Sequence, residues 1–362
     1  MSSRLDAFVV AVPGLEPLVL AEVQKLGVRP ARAVRGGVEC TLTWPQLWAL
    51  NLRSRVATRV LVRLRRFRAD GFHSLEMGLR AIPWSEWLAD DAGVQVSVTT
   101  DASSKLYHSG AVEDRVTALL GRPVGEQRVF VRVVDDVVTV SLDASGDSLH
   151  RRGYRGAAGK APLRETLAAA VVLASGWDAR SPLVDPFCGS GTIAIEAAMI
   201  ARRMAPGRHR AFAFQSWPSF EPEGWERVLR GADGDVVAKC PPLLGSDRDA
   251  GAVAAAVANA AAAGVGDHIE FAQRSASELA LPPGRPGWIV SNPPYGVRVG
   301  DGDLRNLYDR FGAVLRERAV GWHVGLLASA ETPVARLHLA LRPELATSNG
   351  GIDVAVHTGV VA

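Results

Sequence analysis

Residues 183–192 read Leu-Val-Asp-Pro-Phe-Cys-Gly-Ser-Gly-Thr, and residues 291–296 read Ser-Asn-Pro-Pro-Tyr-Gly. In the first stretch an apolar strand ends in Asp185, a tight turn carries Gly189 and Gly191, and a helix begins at Thr192. Two glycines let a backbone approach a ligand closely, and the helix N-terminus behind them presents unpaired N–H groups. Working outward, the chain alternates. A helix over 164–175 precedes the strand Leu183–Asp185, and a helix over 192–203 follows it. After an irregular Pro/Trp-rich insert come strand Leu243–Asp247, an Ala-rich helix over 249–263, strand 268–272, strand Trp288–Ser291, helix 304–318 and strand 321–328. Residues 339–360 read as a hairpin turning at Ser348-Asn349-Gly350-Gly351. Alternating βα units predict an α/β domain with a parallel sheet covered by helices on both faces.

Three readings compete for the glycine turn. Gly189-Ser190-Gly191-Thr192-Ile193-Ala194 fits a nicotinamide fingerprint, but that site wants an acid about 20 residues on for the ribose. The next strand-ending acid is Asp247, and the Asp-Pro-Phe prefix is foreign to that fingerprint. A plain βα turn that needs glycine only for shape is the second reading, and a different ligand site is the third. Asp247 ends the second βα strand, where ligands of such sheets bind, and a carboxylate there can accept both hydroxyls of a ribose. It can equally cap helix 249–263, a role for which Ser246 and Asp249 also qualify and Asp249 is better placed.

Asn292-Pro293-Pro294-Tyr295 follows a strand and carries the most specific chemistry. The Asn292 side-chain oxygen can accept one N–H of an exocyclic amine. The Pro293 carbonyl, stiffened by Pro294, can accept the other. Two such bonds draw the amine lone pair out of conjugation and aim it at a methylsulfonium, and Tyr295 offers a face on which an extruded base stacks. The plain alternative is a Pro-rich turn with Tyr295 in the core. The glycine turn upstream favours the chemical reading.

The first half has a different rhythm. Strand 8–12, helix 15–26, strand 37–42, a helix from Pro45, strand 58–67, helical residues 70–88, strand 93–99, a helix around 111–119 and strands 127–134 and 137–142 make an α+β pattern of short strands. Residues 1–160 hold 22 Lys+Arg against 17 Asp+Glu, a net +5, whereas 161–362 hold 19 against 21, a net −2. The imbalance points to a polyanionic partner for the first half. Arg53, Arg55, Arg59, Arg63, Arg65, Arg66 and Arg68 are the densest cluster, with Arg151, Arg152, Arg155 and Lys160 as equal candidates for phosphates. A solvated strand face is the competing reading of the first group.

The glycine turn followed by Asn-Pro-Pro-Tyr resembles the amino-methyltransferases that act on nucleic-acid bases. That resemblance implies S-adenosylmethionine as cofactor, with Asp185, Phe187, Gly189, Gly191 and Thr192 at its amino-acid end and Asp247 on its ribose. Asn292, Pro293 and Tyr295 grip the target amine, and Asn292 also borders the cofactor. Three further stretches, Gly14–Gly27, Asn51–Leu61 and Leu307–Glu317, together with Arg152-Gly153-Tyr154-Arg155 and Ala161-Pro162-Leu163-Arg164-Glu165-Thr166-Leu167, narrow the match. The chain resembles the THUMP-domain guanine-N2 RNA methyltransferases, which act on large-subunit ribosomal RNA or transfer RNA. The implied plan is a ferredoxin-like region over 1–55, an RNA-binding THUMP domain over 56–145, a linker over 146–165 and a class I, Rossmann-like methyltransferase domain over 166–362. One departure stands out. Where the family carries an acid near the adenine, this chain has Ser275, so Ser275 or Ser277 is expected to make that contact.

The alternatives are a DNA adenine-N6 methyltransferase, an idle RNA-binding module and a protein-amine methyltransferase. The absence of an obvious DNA-recognition domain after residue 300 weighs against the first. The intact Asn292 and glycines weigh against the second. No apolar run approaches the ~18 residues of a membrane span, and the N-terminus lacks the pattern of a secretory signal. Cys40, Cys188 and Cys240 are odd in number and far apart, which suits neither a disulfide framework nor a zinc site and fits the cytoplasm.

Overall fold

Two seven-stranded sheets organise the chain, each within its own unit. The computed structural model describes residues 4–156, 163–295 and 301–362. Of the positions singled out above, Lys160, Ala161, Pro162 and Gly296 lie outside the described residues. Contacts group residues through Ala11, Val19–Leu149 and Arg210–Arg230 into the first unit, and Val12–Leu18, His150–His209 and Gly231–Ala362 into the second.

In the first unit the elements run β1 (Leu5–Val10), α1 (Glu16–Lys25), β2 (Ala31–Val34), β3 (Gly37–Leu42), α2 (Trp44–Arg53), β4 (Arg59–Arg68), α3 (Phe72–Arg80), β5 (Val94–Thr100), α4 (Ser109–Leu120), β6 (Gln127–Val134) and β7 (Val137–Asp143). The expected helix over 70–88 ends early at Arg80, and a single helical turn over Trp84–Glu86 follows Pro83, which interrupts it. The sheet order is β2-β3-β1-β4-β7-β6-β5, antiparallel except for β5 beside β6. Alternation sends Val60, Val62, Val129, Val131, Val133, Val138, Val140 and Leu142 into the core. The opposite face carries Arg66, Thr139, Arg132 and Thr99 as one cross-strand row, with Arg68 and Arg128 nearby. Leu64 is an extra residue between Arg63 and Arg65, and this bulge is what brings Arg66 and Arg68 to that face.

Two of the stretches that carried the family resemblance meet here. Glu22 on α1 is half-buried and accepts hydrogen bonds from the Ser54 hydroxyl (2.6 Å) and the N–H groups of Arg55 (2.8 Å) and Val56 (3.4 Å). The helix-end backbone after α2 is thereby satisfied by a side chain from another element.

Residues 210–230, which the sequence reading placed with the second half, belong to the first unit. The reason is aromatic. Phe212 and Phe214 stack at 5.3 Å, Phe214 meets Trp225 edge-on at 5.3 Å, and Trp48 packs against Phe214 and Phe220 at 6.4 and 6.0 Å. Trp217 closes the group against Trp44 and Trp87, and its Nε1 donates to Gln127 Oε1 at 3.0 Å. The insert is also not wholly irregular, since it ends in α7 (Pro222–Gly234). Gly224 is required there, because a Cβ would stand 2.5 Å from the Trp48 ring.

The second unit follows the expected alternation: α5 (Glu165–Ala174), β8 (Leu183–Asp185), α6 (Thr192–Ala201), β9 (Leu243–Asp247), α8 (Ala250–Ala262), β10 (Ile269–Gln273), β11 (Trp288–Ser291), α9 (Asp301–Arg318), β12 (His323–Ser329), β13 (Arg342–Asn349) and β14 (Ile352–Val360). The order is β10-β9-β8-β11-β12-β14-β13, with five parallel strands and the terminal hairpin antiparallel. The chain starts at the central β8, builds outward to β10, then returns to the other side of β8 with β11. That reversal is the switch point where ligands of such sheets bind.

Phe214 is fully buried among four aromatic rings, so Phe214→Ala is expected to destabilise the intact protein by about 3–5 kcal/mol. Urea unfolding measures this, and a loss under about 1 kcal/mol would contradict the assignment of residues 210–230 to that core.

Candidate active site

The switch point places the two decisive stretches side by side, because β8 and β11 are neighbours. Asp185, the last residue of β8, is buried, and the hydroxyl of Ser291, the last residue of β11, donates to its Oδ1. The Phe187 N–H donates to the same oxygen at 3.2 Å. Burial pushes the Asp185 carboxyl up to about 7; the two donors oppose the rise, and the charge of Asp247 adds to it. Phe187 is half-buried, with its ring edge-on to Phe311 at 5.1 Å.

The glycines of the turn differ in kind. Gly191 has φ +82° and a Cβ would stand 2.9 Å from Ala256 Cβ and 3.0 Å from the Phe271 ring, so the turn packs directly on α8 and β10. Gly189 has φ +50° and a Cβ there would meet none of the described residues within 4 Å, so among them open space lies over it. The N-cap residue of α6, Gly191, has no side chain to cap it. Asn259 on α8 props the turn from beneath, its Nδ2 donating to the Ser190 carbonyl at 3.1 Å.

Asp247 stands at the carboxyl end of β9, its Oδ2 accepting from the Gly189 N–H and its Oδ1 from the Asp249 N–H, both at 3.0 Å. Each oxygen keeps acceptor capacity. Asp249 is the cap of α8, accepting from Gly251 and Ala252 N–H at 2.7 and 3.1 Å, as its position in sequence suggests. Ser275 and Ser277 lie past the end of β10 and are exposed. Ser275 caps the helical turn Ala276–Glu278 and accepts from the Ser277 hydroxyl at 2.9 Å, while the Glu278 carboxylate accepts from the Ser275 N–H at 3.1 Å. A carboxylate therefore does stand at this corner.

On the amine side, Asn292 has its Oδ1 buried with no hydrogen-bond partner among the described residues. An unpaired buried acceptor costs about 1–3 kcal/mol unless something donates to it. Pro293 is buried, and the carbonyl of Pro294 accepts from the Tyr308 hydroxyl at 3.3 Å. Tyr295 is half-buried, and its hydroxyl accepts from Asn349 Nδ2 at 2.7 Å.

The linker arginines divide. Arg152 is buried against Glu196 of α6, Nε to Oε1 at 3.3 Å, and the Tyr154 hydroxyl lies 3.5 Å from the same oxygen. Arg155 pairs with Glu165 at 2.9 Å and donates to the Leu163 carbonyl and to Thr192 Oγ1 at 2.8 and 3.2 Å. These two brace the helices behind the turn, which corrects their reading as phosphate ligands. Thr192 spends its hydroxyl on that brace. The sequence reading missed Glu196, Asn259, Tyr308 and Asn349; Glu196 at least had a signal, as the one acid in the apolar run Thr192–Ala201.

A family model for the RMKL-like methyltransferase domain matches residues 152–356. The chain belongs to that family. A second model, of the RlmL ferredoxin-like domain, matches residues 6–61. Among curated relatives of this RMKL-like protein, the ribosomal RNA large subunit methyltransferase K/L of Methylococcus capsulatus is 37% identical over 351 residues, 90% of this chain and 47% of that protein. The chain thus spans about half the length of that relative. A methyltransferase crystallised with S-adenosylhomocysteine, SMU.472, shares 27% identity and superposes with a TM-score of 0.89 over 100% of this chain and 99% of its own. A Listeria monocytogenes protein described as a predicted N6-adenine-specific DNA methylase shares 31% identity at a TM-score of 0.88, over 98% and 96% of the two chains. The class I methyltransferase fold of the RMKL-like unit agrees with the strand order given above.

The two glycines should respond differently to alanine. Gly189→Ala carries only the left-handed backbone penalty, roughly 1–2 kcal/mol. Gly191→Ala adds overpacking against Ala256 and Phe271, about 1–3 kcal/mol more. Urea unfolding of the ligand-free protein should rank them in that order; equal losses would show that α8 and β10 give way freely.

Proposed function

We propose that this chain transfers a methyl group from S-adenosylmethionine to the exocyclic N2 amine of a guanosine in ribosomal or transfer RNA. The observation that carries the reading is the buried Oδ1 of Asn292, without a hydrogen-bond partner among the described residues, at the end of the strand next to the glycine turn. An exocyclic amine is the donor that would satisfy it, with the Pro293 carbonyl taking the second N–H. Tyr295 presents the face on which the extruded base stacks.

The residues present fit the cofactor. The open space over Gly189 and the uncapped start of α6 suit its amino-acid end, with the Asp185 carboxylate nearby for its ammonium and Phe187 alongside. The free acceptor capacity of Asp247 suits its ribose, and Ser275, Ser277 or Glu278 the adenine edge. S-adenosylmethionine supplies the electrophilic methyl. This chain's part is to align the amine and withdraw its lone pair from the ring. The amine sheds its proton only as it becomes cationic, so water can accept it and no strongly basic side chain is needed.

Guanine is preferred over adenine on family grounds. The Asn-Pro-Pro-Tyr pocket serves either amine, and the RlmL-like N-terminal match supports RNA. We assign residues 1–55 to the ferredoxin-like part, 56–145 to the RNA-docking THUMP part, 146–165 to the linker and 166–362 to the methyltransferase domain, residues 210–230 excepted. The docking face is the arginine-bearing side of the first sheet rather than the whole half. Counted to Leu149, the chain holds 18 Lys+Arg against 17 Asp+Glu, since four of the 22 cations above lie at 151–160. Within the dense cluster, Arg59 pairs with Asp143 and Arg63 with Glu39. Arg66, Arg68, Arg128 and Arg132 make no ion pair among the described residues and share one face, with Arg66 and Arg132 about 10 Å apart across β7. A cytoplasmic setting accords with this reading; no described helix is long and apolar enough to cross a membrane.

Labelled cofactor with unmodified ribosomal and transfer RNA, followed by digestion to nucleosides and mass spectrometry, should place the label in N2-methylguanosine. Label in N6-methyladenosine would replace the base but keep the amine chemistry. Asn292→Ala should abolish transfer while cofactor binding by calorimetry persists; turnover above about a tenth of wild type, a loss under ~1.4 kcal/mol, is too high for this role.

RNA affinity of the intact protein should fall with added salt. Replacing Arg66, Arg68, Arg128 and Arg132 with Gln should shallow the log–log slope by about one for each phosphate no longer neutralised. An unchanged slope would remove this face from the docking surface.

A further inference from the structure

We propose that Asn349, at the tip of the C-terminal hairpin, is a positioning residue for base capture, holding the aromatic face of Tyr295 through its hydroxyl. The inference builds on the amine-pocket reading of the Asn-Pro-Pro-Tyr loop and names a residue outside it. Asn349 Nδ2 donates to the Tyr295 hydroxyl at 2.7 Å, linking residues 54 positions apart.

The turn does not explain an asparagine at this position. Asn349 is the last residue of β13 and pairs with Ile352 across a two-residue turn. The left-handed backbone falls on Gly350 and Gly351, at φ +60° and +87°. A two-glycine turn of this kind asks for no particular residue before it. The amide of Asn349 is thus available for a task other than turn formation.

Sheet register brings that amide to the right edge. Ser291 of β11 is level with Leu326 of β12, and Ser329, at the end of β12, is level with Val354 of β14. The turn at Gly350-Gly351 therefore projects from the carboxyl edge of the sheet, where the loop after β11 also lies. A two-stranded hairpin hydrogen-bonded into a seven-stranded sheet is a stiff mount, and asparagine has only two side-chain torsions. A hydroxyl held at the para position limits the swing of the ring about its own torsions. On the opposite flank the Tyr308 hydroxyl of α9 fixes the Pro294 carbonyl at 3.3 Å, so side chain and backbone of the loop are held from separate elements.

The test uses the full chain, RNA transcripts and labelled S-adenosylmethionine. Asn349→Ala and Asn349→Leu should each lower kcat/KM for RNA about tenfold, the scale of one well-placed hydrogen bond. Cofactor affinity by calorimetry and Tm should stay at wild-type values. Tyr295→Phe should show a similar loss, and the double variant Tyr295→Phe/Asn349→Ala should be no worse than either alone. Asn349→Gln, which keeps an amide donor, should recover part of the rate. Wild-type rates in Asn349→Ala, additive losses in the double variant, or a loss confined to cofactor affinity or Tm would each overturn the proposal. Those results leave the amine-pocket reading standing if Asn292→Ala is inactive. A wild-type protein that methylates no RNA overturns both.

Discussion

The hydrogen bond from Ser291 to Asp185 ties the ends of two neighbouring parallel strands, and the arrangement of the second unit's site follows from it. Both loops leave the sheet at that pair, one as the glycine turn and one as the Asn-Pro-Pro-Tyr segment. Their closeness is a property of topology, because β8 is the strand from which the chain first builds one half of the sheet and then the other. The buried bond fixes the height at which each loop starts. It also keeps a carboxylate in a dry setting where its charge is costly, so Asp185 suits a cationic group of a ligand better than it suits bulk solvent.

Around that pair, support comes from groups far away in sequence. Asn259 reaches the turn across 69 residues, and Asn349 reaches Tyr295 across 54. Distance in sequence separates what could be read beforehand from what could not. The glycine turn, Asp247, the cap at Asp249, the two-glycine hairpin and the Asn-Pro-Pro-Tyr segment declare themselves within a few residues. Their chemistry is local, so the chain alone displays it. An isolated asparagine in an Ala-rich helix or before a turn carries no local signature of its partner. Strand β2 escaped for another reason: four residues at a sheet edge offer too little alternation. Helix α7 did carry a signal, with buried Trp225, Leu229 and Ala232 at helical spacing, but its Pro/Trp-rich surroundings read as irregular.

Charge needed the structure most. A run of seven arginines in sixteen residues looks uniform in sequence, yet its members separate by strand parity and by available acids. Arg59 and Arg63 lie within reach of Asp143 and Glu39 and are neutralised in place. The bulge at Leu64 resets the alternation, so Arg66 and Arg68 still reach the open face beyond it. Arg152 and Arg155, equal candidates by composition, are structural because Glu196 and Glu165 stand opposite them. Net charge of a segment is therefore a coarse guide, because it counts neutralised cations together with those that make no ion pair among the described residues.

Each unit takes a segment from the other half of the sequence: Val12–Leu18 serves the second, and Arg210–Arg230 the first. Gly14 shows how closely the first of these is fitted, since a Cβ there would collide with the Ala346 carbonyl, and Thr347 donates to the Pro13 carbonyl at 2.9 Å. This has a consequence for birth on the ribosome. A nascent chain emerging from its N-terminus would ordinarily finish its first domain before starting the next. Here the aromatic core around Trp48 stays incomplete until residue 230 has left the exit tunnel, by which time β8 and the glycine turn are already outside. The second unit, in turn, uses a strip, Val12–Leu18, that is made before most of the first unit. The first unit therefore cannot finish its core before part of the second has been made, and an mRNA cut between the two halves would leave neither product a finished core.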